Sequence, residues 1–300
     1  MGTPEFAVAS LDALVKAGCS IVGVITAPDK QAGRGLQLQQ SAVKKYAVEN
    51  NLNILQPEKL KDPVFIERLK ALNADLQAVV AFRMLPEIVW NMPPLGTINV
   101  HGSLLPQYRG AAPINWAIIN GEKYTGVTTF KLQQEIDEGN IFLSDKIAIE
   151  ENDTAGTVHD KLKDLGAALL IKTITLLAHN NLTEIPQQEI KSEIKYAPKL
   201  FTETGNIDWT KQTDVIYNLI RGLSPYPAAF TTFNGKTLKI FSAEKVLKIP
   251  DVKPGNFKTD EKTFLQFACA NGLLNITMLQ LEGKKKMDIK EFLRGFRFAK

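Results

Sequence analysis

The chain has 300 residues, of which 44% are hydrophobic and 23% charged, and its net charge is +4. This composition is typical of a folded globular protein, and with only two cysteines it excludes a disulfide scaffold as well as a disordered chain. No apolar run approaches the ~20 residues of a membrane-spanning helix. We therefore expect a cytoplasmic protein without membrane contact.

The first half of the chain alternates helix-like and strand-like segments. Apolar residues recur at helical spacing over 6–17, whereas 21–26 is apolar almost throughout, as buried parallel strands are. The same criteria predict helices over 41–51, 63–72 and from Thr154 onward, and strands over 53–55, 76–82, 97–101, 126–132 and 141–149. Strands spaced by helices of about ten residues indicate a Rossmann-like, doubly wound parallel sheet.

The start of the chain departs from this pattern. A doubly wound domain normally opens with a strand, but Gly2-Thr3-Pro4 reads as a turn that leads straight into a helix. Either the recorded start is internal to a longer coding sequence, or the sheet tolerates a gap at its centre. We expect the first interpretation, with the first strand missing.

The pattern changes again in the second half. Residues 180–206 are polar and irregular, which is typical of a linker. A helix is predicted over 213–221, followed by segments rich in Thr, Phe, Val and Ile with Asn-Gly and Pro-Gly turns between them. We predict an α/β domain over 1–179, a linker over 180–206 and a C-terminal antiparallel β-barrel, similar to an OB fold, over 207–300.

Common cofactor motifs are absent from the sequence. It contains no Walker A loop and no Gly-x-Ser-x-Gly, and Gly33-Arg34-Gly35 lacks the third glycine of a dinucleotide fingerprint. The three histidines and two cysteines are scattered, so metal-ligand spacing is missing. We predict that the protein holds no metal.

The most informative segment runs from residue 97 to residue 113, where a strand enters a turn. Asn99 and His101 alternate onto one face at the carboxyl end of that strand, which is where such sheets bind ligands. An amide and an imidazole together can donate hydrogen bonds to a developing oxyanion. A structural histidine is the simpler alternative for His101.

Asp137 is a third candidate, in a glycine-containing loop between two predicted strands. A carboxylate that reaches His101 would orient the ring or accept a proton from an amine. The alternative is a solvated turn residue, and sequence separation does not decide between the two.

These residues resemble the folate-dependent formyltransferase family. The resemblance is carried by the Asp137 loop and by the string Asn99-Val100-His101-Gly102-Ser103-Leu104-Leu105-Pro106. It covers nearly the whole chain. Three segments are similar to the branch of the family that acts on methionyl initiator tRNA, namely Gly2-Thr3-Pro4-Glu5-Phe6-Ala7, Ala32-Gly33-Arg34-Gly35 and Arg109-Gly110-Ala111-Ala112-Pro113-Ile114.

The resemblance implies transfer of a formyl group from 10-formyltetrahydrofolate to the α-amino group of methionine on initiator tRNA. Asn99 and protonated His101 would stabilise the tetrahedral oxyanion, and Asp137 would orient His101 and help remove the proton of the amine. The N-terminal domain would be catalytic and the C-terminal domain would help to bind tRNA. No metal or redox cofactor is implied.

The resemblance also implies two binding regions. The tRNA would be held by the loop over 29–38, with Lys30 and Arg34, and by the C-terminal lysines Lys284, Lys285 and Lys286, although a basic end can also be a solubilising tail. The folate would be held by the turn after His101 and the end of a neighbouring strand, that is, by Ser103, Leu104, Leu105, Pro106, Phe82, Arg83, Met84 and Leu85.

Several alternatives stay open at this point. Relatives often have Tyr-Gly where this chain has Phe82-Arg83, which leaves the role of Arg83 undecided, and the apolar pocket residues can equally be core. A formyltransferase that acts on an amino sugar nucleotide can share the catalytic string. A catalytically silent RNA-binding relative is the alternative from a different class. We expect a monomer.

Overall fold

The structure is a computed structural model that describes residues 1–32 and 37–297. Among these residues, no helix is both long and apolar enough to cross a membrane. The helices are α1 (Glu5–Lys16), α2 (Ala42–Glu49), α3 (Pro63–Ala71), α4 (Glu87–Trp90), α5 (Pro113–Ile119), α6 (Ala155–Ala178), α7 (Thr213–Gly222) and α8 (Ile289–Gly295), with short 3₁₀ helices at Gln187–Glu189 and Thr202–Gly205. The strands are β1 (Val24–Ile25), β2 (Lys30–Ala32), β3 (Gln37–Gln39), β4 (Ile54–Leu55), β5 (Gln77–Val80), β6 (Thr97–His101), β7 (Arg109–Gly110), β8 (Tyr124–Lys131), β9 (Ile141–Ala148), β10 (Tyr196–Ala197), β11 (Ala229–Phe233), β12 (Lys236–Val246), β13 (Phe257–Thr259), β14 (Leu265–Ala268), β15 (Leu273–Leu281) and β16 (Met287–Asp288).

The chain divides into two compact units, and each is assembled from separate stretches of sequence. The domain boundaries predicted at residues 179 and 206 separate a catalytic domain, a linker and a tRNA-binding domain, and this assignment of roles stays a prediction. Unit 1 contains Met1–Gly110, Thr125–Ile147 and His159–Tyr196, and unit 2 contains Ala111–Tyr124, Ala148–Val158 and Ala197–Lys300.

Unit 1 has the Rossmann-like α/β architecture that the alternating pattern predicts. β1 pairs with β4 and β5 pairs with β6, both in parallel. β5 and β6 belong to a four-stranded sheet with the order β5-β6-β8-β9. β6 and β8 are antiparallel, so the sheet is mixed rather than wholly parallel, as is common where an antiparallel edge is added to a doubly wound sheet.

Met1 and Gly2 lie between the two parallel pairs of strands. The Gly2 amide donates to the Ile25 carbonyl at 3.1 Å, and the Val80 amide donates to the Met1 carbonyl at 2.9 Å. An apolar cavity of about 420 Å³ lies beside them. β1 is only two residues long, although a strand is predicted over 21–26, because its pairing with β4 covers only Val24 and Ile25.

Side chains cap the first turns of α2 and α3 in unit 1. The Ser41 hydroxyl accepts a hydrogen bond from the Lys44 amide at 3.0 Å, which caps α2. The Asp62 carboxylate does the same for α3 by accepting from the Val64 amide at 2.9 Å. Such caps satisfy backbone donors that have no partner within the helix.

Unit 2 contains the antiparallel β-domain predicted for the C-terminal part, curled into a half-barrel. Its strand order is β11-β12-β15-β14-β13, with β16 paired to β15. Asn234 and Gly235, with φ of 48° and 73°, form the tight turn between β11 and β12 that an Asn-Gly pair predicts. Phe233 and Phe267 are fully buried in the core, and Trp209 stacks on Phe267 at 4.6 Å.

Candidate active site

The candidate site begins at the carboxyl end of β6 in unit 1. The register pairs Asn99 with Val79 of β5 on one side and with Phe130 of β8 on the other. Because both neighbours fix the strand, Asn99 and His101 lie on the same face of the sheet, two residues apart. Asn99 is half-buried and His101 is 7% exposed.

Each ring nitrogen of His101 faces an oxygen atom. Nε2 lies 2.9 Å from the Tyr108 carbonyl, and because a carbonyl oxygen only accepts, Nε2 carries the hydrogen. Nδ1 lies 3.7 Å from Asp137 Oδ2, which exceeds the ~3.2 Å reach of an N–H···O hydrogen bond. In the protonated ring, the Nδ1–H therefore faces the carboxylate without a hydrogen bond to it, and can donate to a substrate oxygen placed beside it.

The Asp137 loop, residues 137–139, lies in the connection between β8 and β9. Asp137 has φ of 57°, in the left-handed region that aspartate enters more readily than most residues. Its Oδ2 accepts a hydrogen bond from the Gly110 amide at 2.9 Å. At Gly139 a Cβ atom would lie 1.7 Å from the Lys131 carbonyl, so a larger residue would displace the loop. The fold thus brings Asp137 to His101 from a distant part of the sequence.

Two further residues of unit 1 contact this loop, and sequence reasoning assigned neither to the site. Arg109 Nη1 lies 2.8 Å from Glu138 Oε1. Gln187, in the 3₁₀ helix Gln187–Glu189, is 2% exposed and donates to the Asp137 carbonyl at 2.8 Å. Gln187 falls inside the segment predicted as a linker, where the local sequence carries no signal for a buried contact.

The turn after His101 is fixed to β8. The Thr128 hydroxyl donates to the Ser103 carbonyl at 2.7 Å and accepts from the Leu105 amide at 3.1 Å. Ser103 and Pro106 are buried, and Leu105 packs in a small apolar cluster, so these three shape the turn from within. Leu104 is half-buried.

Residues 82–85 divide between core and surface. Leu85 is buried, and Phe82 packs partly against the same core cluster. Met84 is 73% exposed and lines an open groove with Leu85. Arg83 donates to the backbone carbonyls of residues 57 and 58 and lies 5.7 Å from the Phe82 ring, so the structure gives its guanidinium group local partners.

The loop predicted over 29–38 contains two short paired strands. β2 and β3 are antiparallel, with Lys30 opposite Gln39. Lys30 is exposed. Arg34, the other predicted tRNA contact in this loop, lies outside the described residues.

Asp29 anchors the base of this hairpin. Its carboxylate is paired with the Lys44 ammonium group and accepts a hydrogen bond from Gln56 Nε2 at 2.8 Å. The hydrogen bond from Lys44 holds the pKa of Asp29 below its usual value. The hairpin therefore starts from a fixed point on unit 1.

In unit 2, Lys284, Lys285 and Lys286 form an exposed turn after β15, which we call the lysine turn. Lys285 Nζ lies 3.8 Å from Glu291 Oε1, and Lys286 Nζ lies 4.4 Å from the centre of the Phe241 ring. These weak, solvent-exposed contacts leave the charges available to a polyanion.

Together, the site residues place an amide, an imidazole and a carboxylate at the end of one sheet. Such a set can stabilise a developing oxyanion and accept a proton. Within the described ranges, no group of three or more His, Cys, Asp and Glu side chains is placed to hold a metal ion.

Known proteins match the chain over nearly its full length. Residues 1–174 match the family Formyl transferase, and residues 199–297 match Formyl transferase, C-terminal domain. A Bacteroides fragilis protein named methionyl-tRNA formyltransferase is 52% identical over 303 residues, which cover 99% of this chain and 94% of that protein. A protein of the same name from Parabacteroides distasonis is 54% identical over 306 residues, with the same coverage of 99% and 94%.

Solved structures share the fold at lower identity. The crystal structure of WlaRD, a sugar 3N-formyl transferase in the presence of dTDP and 5-N-formyl-THF, matches with a TM-score of 0.68 and 23% identity. The match covers 95% of this chain and 97% of that one. At this identity the likeness concerns the fold.

Proposed function

Because the chain belongs to the formyl transferase family, we propose that it transfers a formyl group from a reduced folate to the α-amino group of methionyl initiator tRNA. The observation that carries this proposal is the identity of 52% and 54%, over almost the full length, to two methionyl-tRNA formyltransferases. The polar residues at the end of β6 support it, because formyl transfer requires an oxyanion donor and a proton acceptor.

We assign the chemistry to Asn99, His101 and Asp137. The amine nitrogen attacks the formyl carbon, and the carbonyl electron pair moves onto oxygen. Asn99 and the Nδ1–H of protonated His101 donate hydrogen bonds to this oxyanion, and Asp137 takes the proton that the amine loses. When the carbonyl re-forms, the bond from the formyl carbon to the folate nitrogen breaks, and that nitrogen takes up the proton that Asp137 removed from the amine.

The formyl donor in this proposal is 10-formyltetrahydrofolate, bound by the turn over 103–106 and by residues 82–85. The exposed Met84 and the half-buried Leu104 offer apolar surface to a flat ring system. The buried Leu105 and Leu85 act on such a pocket through packing instead of direct contact. The folate analogue present with WlaRD supports a donor of this class.

The acceptor tRNA, in this proposal, is bound by charge. Lys30 and Arg34 in unit 1 would contact phosphates near the acceptor end, and the lysine turn in unit 2 would contact tRNA phosphates as well. Contacts of this kind supply affinity that falls as salt concentration rises, and they carry little sequence information.

The test is a formyl-transfer assay with 10-formyltetrahydrofolate and three acceptors: methionyl initiator tRNA, uncharged initiator tRNA and an amino sugar nucleotide. We expect product with the methionyl tRNA alone, because only that tRNA carries the free α-amino group. Product on the amino sugar would replace this proposal by sugar formylation. Salt-sensitive tRNA binding without any product would indicate a silent RNA-binding relative.

A further inference from the structure

Gln187 uses its whole side chain to hold the Asp137 loop. Its amide nitrogen donates to the Asp137 carbonyl and to the Gly139 carbonyl, each at 2.8 Å. Its Oε1 accepts from Arg109 Nε at 3.1 Å and from Nη2 at 2.8 Å. An amide side chain offers two donors and two acceptor positions, so all four are used.

Arg109 also holds Glu138, the residue that lies between Asp137 and Gly139. While Nε and Nη2 bind Gln187, Nη1 pairs with the Glu138 carboxylate at 2.8 Å. The backbone amide that follows Arg109, that of Gly110, donates to Asp137 Oδ2. Every residue of the loop is therefore held by Gln187, Arg109 or the backbone beside Arg109.

Gln187 and Arg109 are both buried, so the loss of one of their hydrogen bonds would leave a polar group without a partner. Gln187 is 2% exposed and Arg109 is 8% exposed, so water cannot readily replace a missing partner. Both residues lie in unit 1 with the loop they hold. Gln187 and Arg109 together fix the loop, in which the left-handed backbone of Asp137 is not a low-energy conformation on its own.

The contact from Gln187 matters because Gln187 holds the Asp137 loop but makes no hydrogen bond to His101. The position of His101 is set by β6 and by the contact of Nε2 with the Tyr108 carbonyl. The 3.7 Å separation between His101 Nδ1 and Asp137 Oδ2 therefore depends on where the loop places the carboxylate. A displacement of about 1 Å at such a group can reduce turnover about 10²-fold.

We propose that Gln187, supported by Arg109, is a positioning residue that sets the place of the Asp137 carboxylate for formyl transfer. Neither residue touches the reacting atoms, and the proposal rests on the function proposed above. Since the pair acts on the chemical step, its removal lowers kcat and leaves the KM values for folate and tRNA unchanged.

The test variant is Gln187→Glu, which keeps the size of the side chain and an acceptor for Arg109 but removes the NH₂ group that holds the loop. The matched control is Gln188→Glu, which adds the same charge on the exposed neighbouring residue. We expect kcat to fall about 10- to 100-fold in Gln187→Glu with both KM values within twofold of the parent. The control should match the parent.

A second variant, Glu138→Ala, covers the case in which Gln187→Glu does not fold. Glu138 is half-exposed, and its removal breaks only the outer contact of Arg109, so we expect kcat to fall about threefold to tenfold, again without a change in KM.

A folded Gln187→Glu with parental kcat, or an effect confined to KM, would overturn the positioning role. If Gln187→Glu does not fold, a parental kcat in Glu138→Ala overturns it. A parent without tRNA formylation would instead refute the proposed function, so the two failures are distinguishable.

Discussion

The Asp137 loop and the lysine turn use charge in opposite ways. The carboxylate of Asp137 is 12% exposed and its loop is held by buried partners, whereas the three lysines are exposed and make only weak contacts at the surface. A buried, fixed charge can act on one bond at one distance, but an exposed, mobile charge can only contribute attraction. The difference predicts that changes in the loop reduce turnover, whereas changes in the lysine turn reduce binding.

The largest effect should come from Asp137→Asn. The variant keeps the size of the side chain but cannot take a proton, so kcat should fall about 10³-fold while the KM for tRNA stays near the parental value. The control is Glu135→Gln, an exposed neighbour of the same original charge. A kcat within threefold of the parent would show that the fixed carboxylate does no chemistry, and the contrast between the loop and the lysine turn would fail.

Asn99→Ala should have the next largest effect. Removal of one oxyanion donor reduces turnover about 10² to 10³-fold, and the remaining donor on His101 preserves a residual rate. Asn181→Ala, at an exposed residue after α6, is the control for removal of an amide. If kcat is unchanged in Asn99→Ala while KM for the folate rises, Asn99 binds the donor and does not stabilise the oxyanion.

The lysine turn should respond in the opposite sense. In a variant with Lys284, Lys285 and Lys286 all changed to Gln, we expect the KM for tRNA to rise on the order of tenfold and kcat to stay constant. The slope of log affinity against log salt should fall by about 1 for each phosphate that the variant can no longer neutralise. A control with three exposed lysines of unit 1 changed to Gln, namely Lys16, Lys70 and Lys172, should leave the KM for tRNA and the salt slope unchanged. A parental salt slope would identify the turn as a solubilising end.

A change at Cys269, in the core of unit 2, should alter how stability depends on pH and leave turnover unchanged. Burial raises the pKa of the Cys269 thiol to about 11, above its ordinary value of about 8.5 in an unfolded chain. The folded state therefore favours the neutral thiol, and stability present below about pH 8.5 is lost as pH rises toward 11, by about 3 kcal/mol.

This prediction is checked by urea unfolding between pH 8 and 10.5. The parent should lose more free energy of unfolding over this range than Cys269→Ala, and kcat at neutral pH should be unchanged. Cys19→Ala, at a half-exposed thiol, should follow the parent. Equal losses in parent and Cys269→Ala would refute the prediction.

The sequence predicts those parts of the site that depend on local pattern. Strand alternation places Asn99 and His101 on one face, and the structure has β6 at the predicted residues, Thr97–His101. The turn pair Asn234-Gly235 likewise marks a hairpin, because its backbone requirement is local.

What the sequence cannot predict depends on partners distant in the chain. The approach of Asp137 to His101 requires β8 to pair beside β6, which no periodicity encodes. Gln187 shows the same limit more strongly, because a polar, proline-containing segment predicts a linker and its four hydrogen bonds have no local signature. β1 is shorter than its apolar run predicts, because a strand needs a neighbour as well as a suitable composition.

The decisive experiment for the proposed chemistry compares kcat and KM of the parent and Asp137→Asn side by side, with saturating 10-formyltetrahydrofolate and increasing methionyl initiator tRNA. We expect formylation by the parent, and a variant that binds the tRNA equally well but turns over about 10³-fold more slowly. A parent without activity, or a variant that has weaker affinity for tRNA and keeps its turnover, would contradict the role of the fixed carboxylate in formyl transfer.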